Sequence, residues 1–183
     1  MSKKLKFSLA VVGLLVVLVT VVAISFTNIH RHVLTFDGPS MEPTIKNGQS
    51  IVWKQYPKGK LPVANDVVLF MLSGLNRYNQ TDTKLLVKRV IGVPGDHVVV
   101  ANNTIVVTNT LHLAGYNPDR AIPAGAAVAG SIDIILTSDQ YFVIGDNPSN
   151  SLDSRAFGPI RLTSIKGSID LMSQLGQDLN NTK

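Results

Sequence analysis

The sequence predicts a mostly β domain carried behind one N-terminal apolar helix. Three observations carry this. Phe7 to Phe26 contains no charged residue. After it, β-branched and apolar residues come in short runs broken by Gly, Pro, Asn and Asp. No later segment sustains a helical repeat. At 183 residues the chain has room for one domain and a small subdomain.

The apolar run comes first. Its 20 residues, at about 1.5 Å rise each, match a hydrocarbon core of about 30 Å. Its many valines do not argue against a helix, because lipid offers the backbone no other way to satisfy its polar groups. Lys3, Lys4 and Lys6 precede it, and by the positive-inside rule they stay in the cytoplasm. Arg31 on the far flank offsets that asymmetry only in part. A cleaved secretory signal would have a shorter apolar core and a small-x-small exit, which Ile24-Ser25-Phe26 does not offer. The expectation is a cytoplasmic tail over 1–6, a single-pass signal anchor over 7–26 in the plasma membrane, and an extracytoplasmic domain over 27–183.

Within that domain, Ile51-Val52-Trp53, Asp66 to Leu72, Leu85 to Val93, His97 to Ala101 and Thr104 to Thr108 read as strands. Asn102-Asn103 separates the last two in the manner of a tight hairpin, since Asn tolerates positive φ. Ile132 to Leu136 and Tyr141 to Ile144 follow. Residues 73–84 and 114–131 read as loops, Gly95-Asp96 as a turn, and the tail from Gln174 as frayed.

Composition removes several functions. Three of the 17 basic residues precede the apolar run, leaving 14 scattered Lys and Arg against 12 acids. Without a basic run or interleaved aromatics, a nucleic-acid partner is not expected. Cysteine is absent, so there are no disulfides or thiolate metal sites. No His/Asp/Glu spacing suggests a metal and no glycine-rich phosphate loop is present, so no cofactor is expected.

Two residues carry the chemistry. Ser40 lies in Gly38-Pro39-Ser40-Met41-Glu42-Pro43-Thr44, between two prolines that make a rigid turn. Lys88 lies in Lys88-Arg89-Val90-Ile91-Gly92-Val93-Pro94-Gly95-Asp96. A serine hydroxyl is a weak nucleophile unless a base takes its proton. Lysine is a base only when neutral, and burial lowers its pKa. Strand alternation puts Leu86, Lys88 and Val90 on one apolar face and Arg89 on the other. Taken alone, Lys88 would read as an exposed strand lysine and Ser40 as a loop serine. A third block, Gly145-Asp146-Asn147-Pro148-Ser149-Asn150-Ser151-Leu152-Asp153-Ser154-Arg155-Ala156-Phe157-Gly158, reads by itself as a well-capped loop.

These three blocks, in this order behind an apolar segment, resemble the bacterial type I signal peptidases, in their Gram-positive branch. The resemblance extends to about Ile160. It implies an antiparallel β-sheet catalytic core with a small β insertion near 97–140. It implies a membrane-anchored serine endopeptidase that removes signal peptides from exported preproteins through a Ser–Lys dyad. Ser40 is then the nucleophile and Lys88 the general base. Ser151 matches the serine that bonds the lysine amine, and Asp153 and Arg155 match a pair that braces the site. Asp146 is read as structural. The Ser40 backbone N–H is the oxyanion donor. Gly38 stands where Gram-negative relatives use a serine hydroxyl, and Pro39 has no N–H to substitute for it. Phe36, Asp37 and Leu86 are expected to wall the substrate pockets. The implied partners are preproteins leaving the export machinery and membrane lipid, and the implied state is monomeric.

Alternatives to this reading are a Ser-His-Asp arrangement using His97, a self-cleaving protein of the LexA type, and a non-catalytic anchored scaffold. The apolar span and the lack of a DNA-binding helix pair argue against LexA-type self-cleavage. Retention of Ser40, Lys88, Ser151, Asp153 and Arg155 argues against a scaffold.

Overall fold

The apolar runs resolve into two antiparallel sheets in a computed structural model that describes residues 11–21, 32–75, 81–101, 104–109, 120–123 and 131–171. Among these, residues 11–21 are helical (α1). The strands are β1 His32–Thr35, β2 Ser50–Lys54, β3 Val67–Leu75, β4 Thr81–Gly92, β5 Asp96–Ala101, β6 Thr104–Asn109, β7 Arg120–Pro123, β8 Ile132–Ile135, β9 Gln140–Ile144, β10 Ile160–Arg161 and β11 Ile165–Ile169. A one-turn helix, α2, covers Ser154–Phe157. The larger sheet has the order β1-β2-β11-β3-β4-β9-β10, and the smaller one β7-β6-β5-β8.

The long β3–β4 pair is the spine of the larger sheet. It runs in unbroken register from Val67↔Arg89 to Leu75↔Thr81. Both of its faces are covered, which is why its sequence reads as continuous apolar runs instead of an alternation. One face carries Val67, Leu69 and Val87 against Phe36, Met41 and Ile45. The other carries Val68, Phe70 and Val90 against Tyr141, Val143 and Ile160. Burying each such side chain contributes roughly 1.5–3 kcal/mol.

The small sheet packs on the far end of the spine, where Ile91, Phe142 and Ile144 meet Val98, Val100, Ile105, Val107 and Leu136. Gly92 makes this approach close: a Cβ there would lie 2.9 Å from Leu136 Cδ1 and 3.0 Å from Val98 Cγ2. The turn leading into β5 is the expected one. Asp96 N–H donates to Val93 O at 3.0 Å and Asp96 Oδ2 accepts from Val93 N–H at 2.9 Å, with Gly95 at φ +88°.

Several sequence expectations are corrected. Residues 73–75 and 81–84 of the expected loop are strand. β3 runs to Leu75 and β4 starts at Thr81, so the hairpin arm is longer than its polar sequence suggested. Strand pairing overrides that polarity, since Ser73 Oγ and Thr83 Oγ1 lie 3.1 Å apart across the arm. Inside the supposed loop 114–131, β7 pairs with β6. β1, β10, β11 and α2 were not anticipated, because each is short or broken by glycine, serine or proline. Asn102-Asn103, His30, His112, Arg31 and the tail from Gln174 lie outside the described residues. β5 and β6 pair antiparallel in register from Asp96↔Asn109 to Ala101↔Thr104.

The chain divides into two units, residues 1–32 and 33–183. Only part of the expected span, residues 11–21, is described. Among the described residues no helix is long and apolar enough to cross a membrane. Apart from His32 at the start of β1, both sheets and all three clusters lie within the second unit. A chain lacking residues 1–26 is therefore expected to keep one cooperative unfolding transition, monitored by circular dichroism in urea. A non-cooperative melt would show that the β domain depends on the segment removed.

Candidate active site

Ser40 is presented by a loop that is pinned from inside and from outside. Met41 and Ile45 are fully buried beneath it, and Ile45 N–H donates to Met41 O at 2.9 Å. On the outside, Thr44 Oγ1 donates to Asp146. Asn147 grips the loop as well, its backbone N–H on Ser40 O at 3.1 Å and its side-chain Nδ2 on Pro39 O at 3.2 Å. The loop begins at Gly38, whose φ of +99° lies in the left-handed region open to glycine. Gly38 N–H donates to Asn47 Oδ1 at 2.9 Å.

Lys88 comes to this loop from β4. It pairs with Val68 across the strands and is 3% exposed. Its Nζ donates to Ser40 Oγ at 2.7 Å and to Val87 O at 3.0 Å. The expected face is present, since Leu86 and Val90 share a cluster with Val68 and Phe70. Burial of the amine lowers its pKa from 10.5 to about 8, against the opposing pull of the Asp153 and Asp146 carboxylates. A large share of the lysine is then neutral near pH 8, with a lone pair available to the serine proton.

Arg89 turns to the opposite face, as alternation predicts. There it forks onto Asp146, with Nε–Oδ1 at 2.7 Å and Nη2–Oδ2 at 2.6 Å, and its Nη1 donates to Asn65 O at 2.9 Å. Nothing local points to this pairing, because Arg89 and Asp146 are 57 residues apart and each also suits an ordinary exposed position. Asp146 therefore joins the nucleophile loop, through Thr44, to the lysine strand, through Arg89.

The Asp153–Arg155 pair forms as expected. Arg155 Nε and Nη2 each lie 2.7 Å from a carboxylate oxygen of Asp153. Asp153 is fully buried and the Arg155 side chain is 7% exposed. Asp153 also caps α2 and accepts from Gly145 N–H at 3.0 Å. Burial alone would push its carboxyl up, but Arg155 and the Gly145 N–H hold it below the usual range. Arg155 reaches on to Pro148 O at 2.8 Å, so the pair fixes the third sequence block.

Ser151 departs from expectation. Its hydroxyl does not bond the lysine amine, whose bonds go to Ser40 and Val87. Ser151 Oγ is buried and helps to hold the Asp153 carboxyl down. It packs over Gly145, where a Cβ would collide with both Ser151 Oγ and Ser40 O. The side chain thus lies against the floor of the site instead of reaching the amine.

A cavity of about 250 Å³ opens beside Ser40 and Lys88, and Phe36, Asp37 and Leu86 all line it, with Leu34, Leu69 and Val87. The β4–β9 pairing starts only at Arg89. Leu85 to Lys88 therefore border the cavity with one strand edge free among the described residues. His97 sits elsewhere, on the small sheet, with Nε2 2.6 Å from Asp133 Oδ1. Among the described residues, the side chain that meets Ser40 Oγ is Lys88, not a histidine.

An antiparallel β domain that buries a lysine amine against a loop serine defines a protein with a serine–lysine pair. Comparison with known proteins narrows the class. The profile of the family "Signal peptidase, peptidase S26" matches residues 7–173, and the chain belongs to that family and so to the serine endopeptidases. Signal peptidase I V of Bacillus subtilis (strain 168) is 33% identical over 142 residues, covering 73% of this chain and 80% of its own length. Signal peptidase IB of Staphylococcus aureus (strain Mu50) is 33% identical over 149 residues, covering 74% of this chain and 73% of its own. A crystal structure of a signal peptidase I from Enterococcus faecalis V583 shares 24% identity at a TM-score of 0.36, covering 60% of this chain and 97% of that one.

Two stability outcomes follow from the geometry. Asp153→Ala leaves the Arg155 guanidinium buried without its counter-charge and is expected to cost about 3–5 kcal/mol in urea unfolding; a loss under about 1 kcal/mol would show the pair to be dispensable. Between pH 8 and 10.5 the unfolded chain protonates Lys88 and the folded chain releases that proton. Wild-type stability relative to Lys88→Met should therefore rise with pH across that window, and a flat difference would show that the amine is not desolvated.

Proposed function

We propose that the protein is a membrane-anchored signal peptidase that cuts N-terminal signal peptides from exported preproteins, with Ser40 and Lys88 as its catalytic dyad. The observation that carries this reading is the 2.7 Å bond from a buried, pKa-lowered lysine amine to Ser40 Oγ. Ser40 Oγ attacks the scissile carbonyl as neutral Lys88 takes its proton. Lys88 returns that proton to the leaving amine. A water activated by Lys88 then hydrolyses the acyl-enzyme. The Ser40 backbone N–H faces the developing oxyanion, and Asp146, Asp153, Arg155 and Ser151 hold the frame.

The free edge of β4 receives the substrate as an added strand, whose alternate side chains point into the cavity beside Phe36, Asp37 and Leu86. The span over 7–26 keeps Lys3, Lys4 and Lys6 in the cytoplasm and the β domain outside. From Phe26 to Ser40 is 14 residues, at most about 50 Å of chain. That tether keeps the nucleophile near the outer membrane face, where a translocated signal peptide presents its cleavage site.

Incubation with a preprotein tests the activity, and cleavage in trans is expected. Cleavage of the chain itself alone would favour the LexA type, and no cleavage would favour a scaffold. Lys88→Arg is expected to be inactive although it keeps the charge, because guanidinium stays protonated. Ser40→Ala should be equally inactive. Wild-type kcat/KM should fall as pH drops below about 8, since protonated lysine accepts nothing. Activity in Lys88→Arg would exclude the dyad. In a peptide library, small side chains should be required at the residue before the cut and two residues further upstream. Equal cleavage with leucine at both positions would remove the two-pocket reading.

A further inference from the structure

The Pro39–Ser40 peptide carries two groups whose directions are linked. It is trans, the only cis bond among the described residues being Glu42–Pro43, so its carbonyl and its N–H point to opposite sides of one plane. Whatever holds the Pro39 carbonyl therefore aims the Ser40 N–H. Two donors hold that carbonyl: Glu42 N–H at 3.1 Å, within the turn itself, and Asn147 Nδ2 at 3.2 Å, from the other side of the site. Asn147 also gives its backbone N–H to Ser40 O at 3.1 Å. One residue thus grips the carbonyls on both sides of the nucleophile. The flanking residues leave this work to few groups, since Pro39 has no N–H and Gly38 has nothing within 4 Å of where a Cβ would stand.

We infer that Asn147 is a positioning residue whose side-chain amide, by holding the Pro39 carbonyl, aims the Ser40 N–H at the oxyanion of the reaction. This rests on the Ser40–Lys88 reading above and adds to it a residue that touches neither substrate nor the reacting atoms. The amide acts on the transition state and not on the ground state, because the Ser40 N–H meets full negative charge only when the carbonyl has become tetrahedral. It also acts apart from the base, since both bonds of the Lys88 amine go elsewhere.

The test uses the full chain in detergent with a preprotein-derived peptide. It compares wild type, Asn147→Ala, Asn147→Asp and Ser40→Ala. The bond from Asn147 N–H to Ser40 O is made by backbone and survives both asparagine substitutions, so the loop stays tied. Asn147→Asp is nearly isosteric and carries the test if Asn147→Ala loses its cooperative melt. Losing a whole oxyanion donor costs on the order of 100-fold or more, so losing its aim should cost about tenfold. In Asn147→Ala, kcat should fall about tenfold, with KM within about twofold and the midpoint of the pH–rate profile unchanged. In Asn147→Asp, whose carboxylate offers the Pro39 carbonyl no donor, the fall should be at least as large. A peptide aldehyde forms a hemiacetal on Ser40 with its oxygen at the oxyanion position. Its inhibition constant should rise in step with the loss in kcat, which a general loosening of the fold would not produce. Wild-type kcat in either variant, a loss carried by KM, or a displaced pH midpoint would each overturn the inference. Activity in Ser40→Ala would instead overturn the Ser40–Lys88 reading beneath it, a result separable from the others in the same assay.

Discussion

Everything at the site depends on keeping one amine out of water, so that it gives up its proton far more readily than an exposed lysine does. Lys88 sits at 3% exposure, on a face shared with Val68, Phe70, Leu86 and Val90. That burial lowers its pKa to about 8. The cost is real: roughly 1.4 kcal/mol per pKa unit puts the penalty at about 3 kcal/mol at neutral pH, where the unfolded lysine is fully protonated. Burying one or two aliphatic or aromatic side chains offsets that much, and the two clusters flanking β3 and β4 supply many. The spine of the large sheet is therefore what permits the lysine to be there.

The same amine lies near two carboxylates, Asp146 and Asp153, and each favours its protonated form. Left alone, they would undo the effect of burial. Each is instead committed to a guanidinium that grips both of its oxygens, Arg89 for Asp146 and Arg155 for Asp153. A bidentate fork fixes geometry and offsets charge together. The pairs therefore brace the loop and the third block, while at the lysine burial outweighs the pull of the two carboxylates. Arg89 follows Lys88 directly, so strand alternation alone places the base on one face and a compensating cation on the other.

How much of this was legible in the sequence follows from the range of each interaction. Alternation is local, so the Leu86–Lys88–Val90 face and the strands around it could be read directly. Turn chemistry is local too, and Gly95-Asp96 formed as expected. The Arg89–Asp146 fork spans 57 residues and has no local sign. Nor does the exchange of bonds that leaves Ser151 over Gly145 and not on the amine, since it depends on angstrom-scale placement of two loops. The short strands were missed because two to five residues carry too little periodicity. The polar hairpin arm was missed because pairing with a neighbouring strand outweighs intrinsic preference.

The two halves of the site differ in what they must resist. The base is held by a strand deep in a sheet, where displacing Lys88 would disturb the packing of Val68 and Val90. The nucleophile is held by a loop, and loops are the parts of a fold that open most readily. The sequence meets that weakness in three ways. Met41 and Ile45 give the loop its own buried anchors. The two prolines flanking Ser40 reduce the conformations open to the loop when it is free. Thr44 and the carbonyls of Pro39 and Ser40 bond outward to the consecutive residues Asp146 and Asn147. Those two residues begin the block that the Asp153–Arg155 pair fixes from its other end. The loop therefore takes its rigidity from a second segment that is itself pinned by a buried ion pair, so a disturbance at Asp153 should reach Ser40 through Gly145 and its neighbours without any direct contact between the two side chains.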